Sequence, residues 1–142
     1  MPDHVILRVL AKVLIPVIVL FALYVQFHGE YGPGGGFQAG AILAAGLILH
    51  VLVFGQRVTR KMITLSALRI ISALGVLLYA SVGVTSMLMG GKFLDYSVLA
   101  ANPVTGQHLG IIVIELGIGA TVASTLLALI YIFIERIRSN AR

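Results

Sequence analysis

Residues 28–40 read HGEYGPGGGFQAG and interrupt a strongly apolar chain with glycine, proline and polar side chains. Four glycines and a proline between residues 32 and 36 disfavour a helix, because glycine is too flexible and proline lacks a donor N–H. Irregular backbone beside hydrocarbon must be buried against protein or line a water-filled space. The stretch therefore predicts a structural loop between two membrane helices, built from Pro33, Gly34, Gly35, Gly36 and Phe37.

The helix after this loop should restart at about Phe37, so its unpaired N–H groups and its positive dipole end would face the loop. Such an end attracts a carboxylate, and Glu30 is the nearest one along the sequence. A simpler alternative is a glycine-rich hairpin that only lets the two helices pack closely. A phosphate-binding loop is excluded, because the Gly-Lys-Ser/Thr sequence it requires is missing.

The composition is that of an integral membrane protein. Hydrophobic residues make up 59% and charged residues 11% of the 142 residues, a balance too apolar for a soluble domain of this size. The net charge of +5 does not indicate nucleic-acid binding, because the basic residues lie in short connectors beside apolar stretches. There is no cysteine, which excludes disulfides and thiolate metal sites.

Four apolar stretches are long enough to cross a hydrocarbon core of ~30 Å as helices. They cover residues 5–27, 37–54, 70–89 and 109–134. The sequence therefore predicts an all-α membrane protein with four transmembrane helices, a single domain over residues 1–142, and a glycine-rich external loop between the first and second spans.

The basic residues predict the orientation in the membrane. Lys92 alone falls on one side of the four spans, and the positive-inside rule assigns the other, basic side to the cytoplasm. Both termini are then cytoplasmic, while the glycine loop and the turn-rich loop of residues 91–107 lie outside, where they can touch. The residues on the cytoplasmic side are Arg8, Lys12, Arg57, Arg60, Lys61, Arg69, Arg136, Arg138 and Arg142.

Glu115 is the one acidic residue within an apolar span. An ionised carboxylate there is costly unless it is paired, hydrated or protonated, so a role in an ion path is the default hypothesis and structural pairing is the alternative. His108, Glu115 and Gly119 are spaced by seven and four residues, which places them on one helical face with room beside the carboxylate.

Topology places four titratable residues together on the outer side, and these are candidates for an ion path: His28, Glu30, His108 and Glu115. His50, near the far end of the second span, is a fifth candidate, although a single imidazole is more often a structural hydrogen-bonding group. The spacing does not favour a metal site, and no cofactor is expected. Because the spans hold no second carboxylate and no lysine deep in the membrane, partner subunits must complete any ion path.

The sequence resembles the B subunit of Mrp-type multisubunit sodium/proton antiporters, the MrpB or MnhB family. The resemblance is carried by Phe27-His28-Gly29 followed by Pro33-Gly34-Gly35-Gly36-Phe37-Gln38-Ala39-Gly40, and by Gly110 to Gly119 with Glu115-Leu116-Gly117-Ile118-Gly119. Both motifs stand in the family's order, and the four-span architecture covers almost the whole chain.

The resemblance implies a secondary-transporter subunit, not an enzyme, in a hetero-oligomeric complex of the bacterial inner membrane. Larger subunits similar to the proton-pumping parts of respiratory complex I would move protons while sodium is exported, which supports pH homeostasis. The subunit is expected to contribute to assembly and to the cation path and to be inactive alone.

Two alternatives remain open from the sequence, and a third is disfavoured. Related subunits occur in membrane-bound hydrogenases with an antiporter-like module, and a purely structural assembly subunit would also carry stripes of small residues. A homo-oligomeric drug/proton exchanger also has four spans, but it resembles a pattern with Glu in the first span and with Trp, whereas this chain has no Trp.

Overall fold

The computed structural model describes residues 5–29 and 31–141. In this part of the chain all regular structure is helical, and four helices are long and apolar enough to cross a membrane. The prediction of an all-α membrane protein with four spans is therefore confirmed. The helices are α1 (Val5–His28), α2 (Gly36–Phe54), α3 (Gln56–Met62), α4 (Leu65–Leu88) and α5 (Pro103–Asn140), with a short 3₁₀ helix at Tyr96–Val98.

The four long helices form an open row instead of a closed bundle. Helix α1 packs on α2, α2 packs on α5, and α5 packs on α4, so that α1 and α4 are the two edges. Only 11% of the most apolar part of α1 is buried, against 33% for α5. The central helix of the fold is therefore α5, and the edge helices leave large apolar faces for lipid or for partner proteins.

Glycines bring the helix backbones together along this row. A β-carbon added to Gly40 on α2 would lie 2.7 Å from the carbonyl oxygen of Gly119 on α5. A β-carbon added to Gly75 on α4 would lie 2.6 Å from the carbonyl oxygen of Gly117. Small residues allow this approach, and in a membrane such packing replaces the hydrophobic effect as the force that holds helices together.

The connector after α2 contains a helix that sequence reasoning did not predict. Helix α3 follows α2 after Gly55, whose φ of 91° is a conformation that favours glycine. The Gln56 side chain donates a hydrogen bond of 2.9 Å to the carbonyl of Tyr131, and the Tyr131 hydroxyl donates one of 3.1 Å to the carbonyl of Ile63. These bonds fix the connector on α5, beside a buried core of Val51, Leu68, Leu127 and Tyr131.

The loop between α4 and α5 is ordered against the start of α5. Asp95 caps the 3₁₀ helix, since its carboxylate accepts hydrogen bonds from the Ser97 backbone (3.2 Å) and hydroxyl (2.5 Å). Asn102 caps α5 by accepting a bond of 2.9 Å from the Val104 N–H. The Tyr96 ring lies on Gly110, where an added β-carbon would be 2.5 Å from Tyr96 Cγ.

Candidate functional site

The end of α1, the glycine loop and α5 meet around the carboxylate of Glu115. A β-carbon added to Gly29, just after α1, would lie 3.0 Å from Glu115 Oε1. A β-carbon added to Gly35, just before α2, would also lie 3.0 Å from this oxygen. The added β-carbon of Gly29 would lie 3.0 Å from Gly35 Cα as well. The two ends of the loop therefore close on each other and leave a notch that the carboxylate occupies.

Two adjacent glycines shape this notch for different reasons. Gly35 has a φ of 147°, a value that residues with a side chain rarely adopt. Gly36 starts α2 and is buried, and a β-carbon there would overlap the main-chain carbonyl of Glu115. The loop thus needs glycine once for its backbone conformation and once for the close approach of α2 to α5.

The rest of the loop faces outward. Pro33 is exposed, and the Phe37 side chain is 63% exposed, whereas Gly35 and Gly36 are buried. The loop therefore has one face on α5. Gly36 and Phe37, predicted as part of the loop, form the first turn of α2, and the Phe37 ring is exposed there.

The electrostatic setting of Glu115 comes from α2. The first N–H groups of a helix have no partner within the helix, and the helix dipole is positive at that end. Because Gly35 is the N-cap of α2, the Glu115 carboxylate lies at this positive end. The sequence predicted a carboxylate at the start of this helix but assigned Glu30, which lies outside the described residues; the carboxylate found there belongs to Glu115 on α5.

Gln26 is a polar neighbour of the site that sequence reasoning missed. Its Oε1 would lie 2.7 Å from a β-carbon on Gly119, and the Gly36 carbonyl oxygen would lie 3.1 Å from the same point. Gln26, Gly40 and Gly119 also line a small cavity of about 190 Å³. An amide oxygen and a main-chain oxygen therefore lie against Gly119, while the room predicted beside the Glu115 carboxylate stays a prediction. The signal in the sequence is an uncharged amide within the first apolar span.

The two predicted outer histidines have different surroundings. His108 lines an open cavity of about 430 Å³ together with Gly29, Tyr31 and the first turns of α5, so it lies beside the loop. The His28 ring is exposed and stacks on Tyr24 with ring centroids 5.0 Å apart. The fold thus brings His108, Glu115 and the loop to one end of the molecule, and it places the His28 ring in an aromatic stack on the surface of α1.

His50 belongs to a separate cluster near α3. It lies 14 residues after Gly36 on α2, which corresponds to ~21 Å along the helix axis. Its Nδ1 is 2.8 Å from the hydroxyl of buried Thr59, and its ring packs on Phe54. Arg60 forms an ion pair with Glu135 in the same region. This environment gives His50 a hydrogen-bonding role between α2 and α3.

The Glu115 carboxylate lies at the end of the molecule that holds the glycine loop, and the Gln26 amide and Gly36 carbonyl oxygens lie one helical turn along α5, beside Gly119. Oxygen atoms of these kinds are ligands that membrane transporters use for sodium ions and protons. Within residues 5–29 and 31–141, no three His, Cys, Asp or Glu side chains come together as a metal site. The arrangement can hold a proton on Glu115 or place a small cation among oxygen atoms.

The chain is similar to subunits of known antiporters over most of its length. Residues 6–128 match the family described as "Domain related to MnhB subunit of Na+/H+ antiporter". The B subunit of a Na+/H+ antiporter from Alkalihalophilus pseudofirmus is 31% identical over 134 residues, which cover 87% of this chain and 92% of the relative. A second relative is mnhB2 of Staphylococcus aureus strain Newman, which is provisionally named as an antiporter subunit. It is 32% identical over 119 residues, which cover 82% of this chain and 84% of the relative.

Proposed function

This chain belongs to the family of MnhB-related Na+/H+ antiporter subunits, and we infer that it serves as a multi-pass membrane subunit of a multisubunit sodium/proton antiporter. Other subunits of that complex are its partners. We further propose that its contribution to transport centres on Glu115, where the glycine loop, the start of α2 and α5 meet.

The single observation that carries this proposal is the fit of the glycine loop around the Glu115 carboxylate. Gly29 and Gly35 both approach Oε1 so closely that a β-carbon on either would lie 3.0 Å from it. If this position served only to pack membrane helices together, a small apolar residue would do so at lower cost, because a carboxylate must be desolvated there. Gln26 and the Gly36 carbonyl supply further oxygen atoms one helical turn away, beside Gly119.

The subunit would form one segment of a longer path for protons or sodium ions. Glu115 lies within an apolar span, and the next acidic residue on α5 in the described part of the chain is Glu135, which pairs with Arg60 of α3. No acidic residue lies between these two on α5. Large subunits similar to the proton-moving parts of complex I would complete the route across the exposed faces of the row. We place the complex in the bacterial inner membrane, with both termini cytoplasmic and the glycine loop outside.

A second candidate function is assembly alone, and the open row of helices favours it. Edge helices α1 and α4 leave apolar faces that a larger complex would cover, whether its host is an antiporter or a hydrogenase with an antiporter-like module. In this case Glu115 would hold the loop in place without carrying a charge during transport.

Two substitutions of Glu115 separate transport from assembly. Glu115→Gln keeps the shape and hydrogen-bonding capacity of the side chain but removes the titratable group, whereas Glu115→Leu removes both. The matched control is Glu135→Gln, which removes a carboxylate at the opposite end of α5, where it pairs with Arg60. Complex yield and sodium-dependent proton movement are measured in membrane vesicles for each variant across a range of pH.

If the carboxylate takes part in transport, the Glu115→Gln complex should assemble at normal yield and exchange roughly tenfold more slowly or with a shifted pH profile. Glu135→Gln should assemble and exchange normally. Full exchange by the Glu115→Gln complex at every pH, with loss of assembly only in Glu115→Leu, would assign the site to assembly.

A further inference from the structure

A groove runs between α4 and α5, near the ends of these two helices that lie beside α3. Its volume is about 680 Å³. Its walls are almost entirely apolar, and they include Ala73 and Val76 from α4 and Leu129 and Ile132 from α5. The groove lies on the outer edge of the row, because α4 packs on α5 and on no other long helix to a comparable extent.

The groove has the length of one membrane leaflet. From Arg69 it continues past Val76 into a smaller pocket of about 170 Å³ that Gly75, Tyr79 and Gly117 border. Arg69 and Tyr79 are ten residues apart on α4, which is ~15 Å along the axis, or about half of a ~30 Å hydrocarbon core. A spanning helix of a partner protein would run the full thickness, whereas an acyl chain of one leaflet matches this depth.

The polar groups inside the groove are already satisfied. The hydroxyls of Ser72 and Thr125 are 3.1 Å apart and bond to each other across the α4–α5 joint. Further along, the Thr121 hydroxyl donates a bond of 2.8 Å to the Gly117 carbonyl. The interior of the groove is therefore suited to a hydrocarbon chain and not to a polar partner.

Positive charge stands at the open end of the groove. Arg69 lines it, is exposed, and makes no ion pair within residues 5–29 and 31–141. Arg136 lies four residues beyond Ile132 on α5, so it follows on the same helical face and is also exposed. Basic residues at the end of a groove between membrane helices are suited to a lipid phosphate.

We infer that this groove is a binding site for an anionic phospholipid of the leaflet next to α3. One acyl chain lies between α4 and α5, and the phosphate contacts Arg69, with Arg136 beside it. This site goes beyond the proposed transport function, because it lies along the joint with α4 and uses none of the residues around Glu115.

The test uses the purified complex, incubated in detergent with either phosphatidylglycerol or phosphatidylcholine. Arg69→Gln removes the charge at the groove, and its matched control is Arg57→Gln, at an exposed arginine on α3. Ala73→Phe fills the groove, and its matched control is Leu74→Phe, at an exposed position on α4 outside the groove. Native mass spectrometry counts the bound phospholipids. In a separate sample, p-benzoylphenylalanine replaces Leu77, a large side chain on the groove wall, and is photo-activated to identify its neighbour.

We expect the photo-probe to capture phosphatidylglycerol in preference to phosphatidylcholine, with the preference about fivefold weaker in Arg69→Gln, the effect expected for one basic residue near a phosphate. Ala73→Phe should lose one bound phospholipid, and both controls should retain it. Equal phospholipid counts in all variants would overturn the proposal, as would capture of another subunit at position 77. The Arg69→Gln and photo-probe results decide the matter even if Ala73→Phe fails to assemble.

Discussion

The main-chain carbonyl of Glu115 on α5 occupies the place where a β-carbon on Gly36 of α2 would stand. The same Glu115 directs its carboxylate into the notch of the glycine loop, against Gly35. One residue of the central helix therefore defines both the backbone packing of α2 and the chemistry of the loop. The position of the loop and the position of the carboxylate are coupled, so a change in one should be felt by the other.

Gly36→Ala should prevent α2 from reaching α5. The added methyl group would overlap a main-chain atom, which has no rotamer by which to move away, so we expect a loss of stability of at least about 1–3 kcal/mol. Gly32→Ala is the matched control in the same loop, because its β-carbon would make an ordinary contact of 3.4 Å with the His28 ring. Yield and thermal stability of the purified complex measure the effect. Equal stability of the two variants would show that α2 and α5 are not in backbone contact.

Tyr131→Phe should weaken the attachment of the α3 connector. The variant loses the hydrogen bond of 3.1 Å from the Tyr131 hydroxyl to the Ile63 carbonyl. The carbonyl loses this donor, which should lower the stability by about 1 kcal/mol. Tyr131→Ala should cost about 3–5 kcal/mol, because the ring is fully buried. Tyr24→Phe serves as the control, since its ring is 57% exposed on α1. Thermal unfolding of the complex ranks the three variants. If Tyr24→Phe lost as much stability as Tyr131→Phe, the Tyr131 hydroxyl would not be what attaches the connector.

The loop between α4 and α5 should loosen in acid through Asp95. Hydrogen bonds from the Ser97 hydroxyl and backbone N–H hold the pKa of Asp95 below its ordinary value. A carboxylate with a lowered pKa stabilises the folded loop above the pKa of the unfolded chain, about pH 4, and this contribution is lost as the pH falls through the lower, folded value. The protection of the amides in residues 95–99 against hydrogen exchange, measured relative to an unstructured peptide at the same pH, should therefore fall below about pH 4.

Ser97→Ala gives the corresponding control for this loop. Because it removes the hydroxyl donor of the 2.5 Å bond, it should raise the pKa of Asp95 towards its ordinary value, so that the loop is less protected at neutral pH and loses less protection on acidification. A loss of protection in acid as large in Ser97→Ala as in the unsubstituted protein would show that Asp95 does not control the loop.

Single cysteines should report the orientation of the chain. The natural sequence has no cysteine, so Tyr31→Cys and Ser139→Cys each introduce one label site; Tyr31 is 75% exposed and Ser139 is exposed at the end of α5. We expect an impermeant thiol reagent to label position 31 in intact cells and position 139 only in inside-out vesicles, because basic connectors stay in the cytoplasm. The reverse pattern would invert the topology.

The sequence alone determined the all-α class and the four spans, because lipid leaves no other way to satisfy the backbone of a long apolar stretch than a helix. It also located the irregular loop, since glycine and proline act on the backbone wherever they stand. Glu115 was recognisable for the same reason: one acidic residue in an apolar span is expensive in any arrangement of helices.

The tertiary structure decided which helices meet and that the Glu115 carboxylate lies at the start of α2. The prediction for Glu30 falls outside the described residues, whereas Glu115 reaches the loop because Gly40 and Gly119 let α2 and α5 approach. It also decided that Gln56 and Tyr131 bind the connector to α5, and that Gln26 borders the space beside Gly119. These contacts join residues distant in sequence and depend on the match of surfaces between helices, which the local periodicity of a single helix does not encode.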